Sequence, residues 1–240
     1  MRPVQYTLTS TNVYQHASAF LRTHLRLRDH GPKCRAGLLL ALRFYAAARI
    51  SSLSDACKRP RKAPRDQAAR LALVATLPEF IALPRQLNSA LAGHLPNALR
   101  KRLQHVAFDL TLIPYHGFPL RDPEEIFRGQ PTSGTSHFHA YATAYVIHQH
   151  HRDTVALSAV RNGEPMEAVL QRLLHQAARV GVRPRLLLLD RGFFSVGVIR
   201  YLQAARDPFR MPVICRGRKL DDPRGPRSLS EYCSSRARFE

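Results

Sequence analysis

A segment near the middle of the chain, Val106–Gly117, alternates apolar and polar residues and predicts a β-strand. An acid, Asp109, is set into this strand, and Pro114 and Gly117 end it with a turn. The apolar positions of the alternation are Val106, Phe108, Leu110 and Leu112. An acid inside an apolar strand costs free energy unless it is paired or binds a cation. Asp109 is therefore the first candidate functional residue.

A second acid ends another predicted strand. The run Leu186–Asp190 is apolar up to its last residue, Asp190, and the turn Arg191-Gly192-Phe193-Phe194 follows directly. A continuous apolar run that stops at a glycine turn is typical of a central strand buried on both faces.

The second half of the chain predicts strands and helices in the order β-β-β-α-β-α-β, with a turn at Thr132–Thr135 and another at Asn162-Gly163. This order, with acids on the first and fourth strands, is that of a ribonuclease-H-like α/β fold with a mixed sheet. The predicted strands are 106–113, His137–His148, Asp153–Val160, Leu186–Asp190 and Met211–Cys215. The predicted helices are Glu164–Val180, stopped by Gly181, and Phe194–Ala204.

Residues 1–104 predict a small all-helical region that precedes a core over residues 105–219. Its helices are expected at 22–30, 36–50, 52–57, 67–77, 80–92 and 97–104. A basic stretch, KRPRKAPR, connects two of them and contains the cations Lys58, Arg59, Arg61, Lys62 and Arg65. Such a stretch either lies along a phosphate backbone or is a solvated linker. Short helices with a basic connection allow a helix-turn-helix without establishing one.

The charge of the chain points to a polyanionic partner. Lys and Arg number 37 against 17 Asp and Glu, which gives a formal net charge of +20 and a pI near 11.0. We expect a nucleic acid as that partner, because nucleic acid is the commonest target of so basic a surface. Biased gene composition is the alternative explanation, since arginine outnumbers lysine and alanine and leucine abound.

Cysteine usage and hydropathy bear on location. Cys34, Cys57, Cys215 and Cys233 are scattered, a pattern that suits neither a disulfide framework nor a zinc ribbon. The sequence has no apolar run of about eighteen residues, and residues 1–10 lack the core of a signal peptide. A cytoplasmic protein is therefore expected.

In a ribonuclease-H-like sheet the strands of Asp109 and Asp190 are neighbours. Two carboxylates held close repel one another unless a divalent cation lies between them. Two Mg²⁺ or Mn²⁺ ions about 4 Å apart can activate an attacking oxygen and stabilise a leaving oxygen at phosphorus. The structural alternatives are an Asp109 satisfied by backbone donors and an Asp190 that caps the turn after its strand.

Histidines and tyrosines of the predicted strands are weaker candidates. His137 and His139 share one strand face, as do His148 and His150, with His151 adjacent, but no acid or thiol lies at a zinc-binding spacing. Tyr115, His116, Tyr141 and Tyr145 could stack on a DNA end, although core packing is the simpler interpretation.

Four segments together resemble the catalytic core of bacterial and archaeal DDE transposases of the insertion-sequence-four group. They are VAFDLTLIPYHG, GTSHFHAYATAYVI, LLLLDRGFFSVGVIRYL and MPVICRGRK, within residues 50–219. The resemblance implies that Asp109 and Asp190 are the first two acids of the catalytic triad, with Mg²⁺ or Mn²⁺ as cofactor. It further implies that the N-terminal helices bind DNA, and that a homodimer cleaves transposon ends and transfers them to target DNA.

The third acid of that family is a Glu, placed beyond an inserted segment in the pattern Tyr, two residues, Arg, three residues, Glu. Tyr232, Arg236 and Glu240 come near this pattern with three residues in the first gap, and Glu231 is the other candidate. Residues 220–240 are interpreted as a truncated insertion or tail, so an incomplete copy with two of the three acids is expected.

Three alternatives remain open. A catalytically inactive remnant would bind DNA without cutting it, and a ribonuclease-H-like nuclease with a different third acid would cleave without strand transfer. A basic RNA-binding protein would be indifferent to Asp109→Ala.

Overall fold

The computed structural model describes residues 9–25, 27–60, 62–78, 80, 82–117, 123–148 and 151–213. The chain divides into two compact units: the helical unit, Met1–Leu95, and the sheet unit, Pro96–Glu240. The described part of the helical unit contains helices and no strand, whereas the sheet unit contains a mixed sheet of six described strands. No helix within these ranges is both long and apolar enough to span a bilayer.

The helical unit has five helices in its described part. They are α1 (Ser10–Leu25), α2 (Ala36–Arg49), α3 (Leu53–Cys57), α4 (Asp66–Thr76) and α5 (Ala82–His94). Buried side chains from α2, α3 and α4 form its core, among them Leu39, Leu42, Ala56, Ala69 and Leu73. Ser52 caps α3, because its side chain accepts a hydrogen bond from the backbone N–H of Asp55.

The helix predicted over residues 22–30 is wrong. α1 starts earlier, where the Thr9 hydroxyl accepts a hydrogen bond from the Asn12 backbone N–H at 3.2 Å, and it ends at Leu25. Residues 27–30 are not helical. There the Asp29 carboxylate instead accepts the N–H of Ala36 at 2.7 Å, so it satisfies a free donor at the start of α2.

The elements of the sheet unit follow in chain order. They are α6 (Asn97–Lys101), β1 (Leu103–Pro114), β2 (Phe127–Thr132), β3 (Thr135–His148), β4 (His151–Val160), α7 (Met166–Arg179), β5 (Arg183–Leu189), α8 (Val196–Ala205) and β6 (Phe209–Arg210). Gly181 ends α7 in the left-handed region, with φ of +83°, as its position predicts.

β1 lies inside the sheet, hydrogen-bonded on both edges. It pairs antiparallel with β3 and parallel with β5, which in turn pairs parallel with β6. The other edge of β3 pairs antiparallel with β2 at its start and with β4 along the rest. The first and fourth predicted strands, β1 and β5, are therefore neighbours, so Asp109 within β1 and Asp190 directly after β5 can meet.

One strand was not predicted, and two predicted elements need corrected bounds. Strand β2 was not predicted because its sequence, FRGQPT, contains Gly129 and Pro131, which an edge strand tolerates. The helix predicted over 97–104 stops at Lys101, and Gln104 lies in β1, where its side chain donates to the Leu99 carbonyl. The predicted strand Met211–Cys215 is replaced by the shorter Phe209–Arg210, because pairing with β5 already begins at Pro208. Residues 211–213 form no strand, and 214–215 lie outside the described residues.

Candidate functional site

Asp109 lies on the sheet face that points away from α7. Its side chain is half-buried, and its direct partner on β3 is Thr143. The opposite face contacts α7. Arg172 of that helix donates to the Ser158 hydroxyl at 3.0 Å, and Ser158 pairs with Ala142, so both residues lie on the face of α7. Successive residues of a strand alternate between faces, so Thr143 and Asp109 occupy the other one.

Asp190 lies one residue beyond β5 and caps a short 3-10 turn, Arg191–Phe193. Its carboxylate accepts the backbone N–H of Arg191 at 2.5 Å and that of Gly192 at 3.5 Å. The capping alternative considered for Asp190 is thus observed, and the prediction that Asp190 belongs to the strand is off by one residue. A carboxylate offers about four lone-pair positions, so these two bonds leave acceptor capacity on an exposed side chain.

The parallel register brings the two acids side by side. Phe108 pairs with Leu189, and the backbone N–H of Asp190 donates to the Phe108 carbonyl at 3.0 Å. The backbone of Asp190 is still extended, with φ of −69° and ψ of 161°. Asp109 and Asp190 are the next residues on the two strands, which in a sheet run about 4.8 Å apart with equivalent residues on one face.

Two carboxylates in this arrangement fit a hard divalent cation. Unit charges about 4 Å apart repel by roughly 1 kcal/mol in water and by roughly 4 kcal/mol at a protein surface, and a cation between them turns this repulsion into attraction. Mg²⁺ is commonly held by one or two carboxylates together with waters and substrate phosphates, and Mn²⁺ accepts the same oxygen ligands. Asp109 and Asp190 supply such a pair of carboxylates.

A third ligand is not found among the described residues. Within those ranges, no group of three His, Cys, Asp or Glu side chains could hold a metal ion. The two predicted candidates for the third acid, Glu231 and Glu240, lie outside the described residues.

The turn after Asp190 is held by apolar contacts that were not predicted. A Cβ at Gly192 would lie 2.9 Å from Cδ2 of Leu110 and 3.1 Å from its Cβ, so only glycine fits there. Phe193 is fully buried and packs edge to face against Phe108. In the sequence, this contact is indicated only by the glycine that follows the second acid. Its packing partner, Leu110, is distant in sequence, so the contact itself could not be predicted.

Aromatic and basic side chains of β3 and β4 lie near Asp109. Tyr141 and Tyr145 are half-buried and flank Thr143, which places both diagonally across from Asp109. The Arg152 guanidinium lies over the Tyr145 ring, 4.2 Å from its centroid. Stacking of these tyrosines, or of Tyr115 and His116, on a DNA end stays a prediction.

The strand histidines do not gather around the acid pair. The His139 ring lies 4.9 Å from that of Tyr115, and partial burial lowers the pKa of His139. His148 and His151 are exposed and pair with each other where β3 ends and β4 begins. His137 is half-buried, and His150 lies outside the described residues.

The predicted DNA-binding stretch connects α3 to α4 in the helical unit. Its cations Lys58, Arg59, Lys62 and Arg65 are exposed, and Arg61 lies outside the described residues. Pro64 is buried, and the N–H of Ala63 donates to the carbonyl of Pro60 at 3.0 Å. The stretch thus has a defined conformation between α3 and α4, and its contact with DNA stays a prediction.

Comparison with solved structures gives distant similarities. The Drosophila P element transposase strand transfer complex matches at 12% identity with a TM-score of 0.38, over 79% of this chain and 42% of that one. The Mos1 strand transfer complex matches at 13% identity and 0.24, over 75% and 60%. A simian T-cell lymphotropic virus intasome in complex with the PP2A regulatory subunit B56 gamma matches at 16% and 0.26, over 55% and 44%.

The chain thus spans between 42% and 60% of the length of these three chains. No protein-family model matches the sequence, and no curated protein does. Similarities of this size assign neither a family nor an activity, so function is inferred from the chain's own residues.

Proposed function

We propose that this chain carries the catalytic core of a DDE transposase of the insertion-sequence-four group, with a ribonuclease-H-like sheet unit. Its substrate is double-stranded DNA, and its reaction is cleavage and transfer of DNA strands. The observation that carries the proposal is the juxtaposition of Asp109, on β1, with Asp190, which directly follows the neighbouring parallel strand β5.

The roles of the two acids follow from their positions. Asp109 is held by a strand bonded on both edges, and Asp190 by its own capping bonds to Arg191 and Gly192. The backbone of Asp109 and the carboxylate of Asp190 are therefore fixed before any ligand arrives, which lowers the ordering cost when the cation and the phosphate bind. Asp109 and Asp190 would hold Mg²⁺ or Mn²⁺, which would supply Lewis-acid stabilisation of the charge that develops on the phosphate oxygens.

The charge of the chain supports DNA as the substrate. A net charge of +20 attracts the phosphate backbone and accelerates its encounter with the protein. The two acids are a small negative site in this positive field, which suits a bound cation. The exposed cations of the α3–α4 connection are the part of the helical unit proposed to contact the duplex.

The test uses a DNA duplex that carries the end of the insertion element in which the gene for this chain lies. The duplex is incubated with the protein and Mg²⁺ or Mn²⁺. The full chain, Asp109→Asn and Asp190→Asn are compared for binding, for nicking at the element boundary and for joining of the end to a target duplex. The Asn variants keep the size of each side chain and remove its charge, so binding of DNA should persist while cleavage is lost.

The outcomes separate the alternatives. Cleavage and joining that both acids require would establish the transposase activity. Cleavage without joining would indicate a nuclease, and binding without cleavage by the unmodified chain would indicate an inactive DNA-binding protein. Cleavage that survives in both Asn variants would contradict the proposed site.

A further inference from the structure

Exposed cations gather at one end of the sheet, where β1 and β5 begin. They come from three places in the sequence: the end of α6, the end of α7 and the start of β5. We call this group the basic edge, and it consists of Arg100, Lys101, Arg102, Arg179, Arg183 and Arg185.

Contacts within the sheet unit hold these three segments together. Leu103, directly after Arg102, pairs with Arg183 across the parallel strands. A Cβ at Gly181 would lie 3.4 Å from Cγ of Arg100, so the end of α6 is packed against the turn that follows α7. The basic edge is therefore a property of the fold, since its members are distant in sequence.

The turn between α7 and β5 has a defined geometry. Gly181 adopts a φ of +83°, and its N–H donates to the Ala178 carbonyl at 2.9 Å. The N–H of Val182 donates to the Ala177 carbonyl at 3.0 Å, which completes a Schellman-type helix end. Arg179 is thereby placed on one side of the turn and β5 on the other.

An irregularity in β5 exposes one more cation. Gln104 pairs with Pro184, and His105 pairs with Leu186, so Arg185 is the extra residue of a bulge. A bulge redirects a side chain out of the regular alternation of the strand. Arg183 and Arg185 are both exposed at this end, with the half-buried Pro184 between them.

The three segments that form the basic edge carry no acids of their own. Residues 97–108 and 168–189 contain no Asp or Glu. In the part of the chain that the structure describes, no ion pair involves Lys101, Arg102, Arg179, Arg183 or Arg185. Closely spaced cations that form no ion pairs repel one another, so the arrangement costs free energy that a bound polyanion would recover.

We propose that the basic edge binds the phosphate backbone of double-stranded DNA, at a surface of the sheet unit distinct from the acid pair. The guanidinium group suits this role because it donates two parallel hydrogen bonds to phosphate oxygens. From Leu103 to Asp109 the strand rises by about 20 Å, so the bound phosphates lie well outside the acid site. The choice of DNA over RNA rests on the proposed function.

The test measures binding of the full chain to a random-sequence DNA duplex between about 50 and 200 mM salt. Two double variants remove two charges each from different segments: Arg183→Gln with Arg185→Gln, and Lys101→Gln with Arg102→Gln. The control, Arg128→Gln with Arg200→Gln, removes two exposed charges from β2 and α8. Circular dichroism establishes that each variant is folded.

Each basic-edge variant should weaken binding about tenfold at the lower salt concentration. It should also reduce the slope of log K against log salt by about 1.8, because each phosphate that the protein neutralises contributes about 0.9 to that slope. The control should leave both quantities within error of the unmodified chain. Equal effects in the control and the basic-edge variants would overturn the proposal, because the effect would then be one of net charge. A double-stranded RNA bound more tightly, with the same dependence on the basic edge, would overturn the choice of DNA.

The conditions keep the two proposals apart. The salt series contains no divalent cation, so it measures binding at the basic edge without the cation-dependent cleavage proposed for the acid pair. A chain without cleavage but with a basic-edge effect on binding would refute the enzymatic proposal and leave this one standing.

Discussion

The rings of Phe108 and Phe193 pack edge to face, with centroids 6.2 Å apart and planes at 73°. Phe108 directly precedes Asp109 on β1, and Phe193 closes the 3-10 turn that Asp190 caps. Both rings are buried, at 2% and 0% exposure, so one aromatic contact joins the two acid-bearing segments inside the core. The position of each carboxylate is therefore tied to core packing.

Gly192→Ala should disturb this arrangement. The added methyl would lie 2.9 Å from Leu110 Cδ2 and 3.1 Å from Leu110 Cβ, and the second of these atoms cannot move without the backbone. We expect a loss of about 1–3 kcal/mol in the free energy of unfolding, together with a weaker response to divalent cations. Urea denaturation with and without Mn²⁺ measures both effects.

Gly93→Ala is the matched control for that variant. Gly93 lies near the end of α5, and an added Cβ there meets no atom within 4 Å. Alanine should stabilise this helix by about 0.5–1 kcal/mol, since glycine loses more conformational entropy on folding. Stability equal to the unmodified chain in Gly192→Ala would contradict the close packing of the turn.

Divalent cations should stabilise the chain through the acid pair. In the presence of a chelator, Asp109→Asn should be at least as stable as the unmodified chain, because it removes one of two repelling charges. With Mn²⁺ at about ten times its dissociation constant, the unmodified chain should gain about 1.4 kcal/mol and the variant should not. Thermal unfolding followed by circular dichroism gives the shift. An equal gain in Asp109→Asn and Asp190→Asn would place the ion elsewhere.

The central strands could be predicted from the sequence, and the reason is their burial. β3 alternates strictly, with Phe138, Ala140 and Val146 buried. In β5, Leu187 and Leu189 are buried on one face, and Leu186 and Leu188 are half-buried on the other, so the strand is apolar throughout this run. Edge strand β2 carries no such pattern, since only one of its sides is paired and few of its residues are buried. Hydrophobic periodicity therefore predicts strands that have a buried face and misses strands that are little buried.

The acid pair could be predicted for a similar reason, and its surroundings could not. An acid in or next to an apolar strand is conspicuous, which makes Asp109 and Asp190 candidates without a structure. The bond from Asp190 to Phe108 and the contact of Leu110 with Gly192 depend on the register between distant segments. Register arises from packing across the whole sheet, so local sequence does not encode it.

Ile50→Gly should stabilise the helical unit. Ile50 ends α2 with φ of 49° and ψ of 42°, a left-handed conformation that costs a β-branched residue roughly 1–2 kcal/mol. Its side chain is 97% exposed, so glycine forfeits almost no packing. After the larger entropy of glycine in the unfolded chain is subtracted, a net gain of about 1 kcal/mol is expected in urea denaturation. Ile50→Ala retains the Cβ and should gain little free energy of unfolding. A glycine variant no more stable than the alanine variant would show that the backbone at Ile50 is not strained.

Glu164 joins β4 to α7 through Arg172. Both of its carboxylate oxygens accept hydrogen bonds from the Arg172 guanidinium, one of them at 3.0 Å, and the backbone N–H of Arg161 donates to it at 3.2 Å. Partial burial raises the pKa of Glu164, but these bonds and the charges of the two arginines outweigh it and leave the pKa below its ordinary value. Over the interval between the two pKa values the unfolded chain binds more protons than the folded one, so stability rises with pH there.

Glu164→Gln should therefore flatten the acid side of the stability profile. At neutral pH the variant loses a charge-assisted hydrogen bond and should be less stable by about 1–3 kcal/mol. The stabilisation by Glu164 is complete above its unfolded pKa of about 4.3, so the two chains should converge as the pH falls below that value. Urea denaturation at a series of pH values measures the difference, and a double-mutant cycle with Arg172→Gln isolates the pair, whose coupling should vanish in acid. Parallel profiles for the two chains at every pH would mean that Arg172 does not hold Glu164 in its charged form.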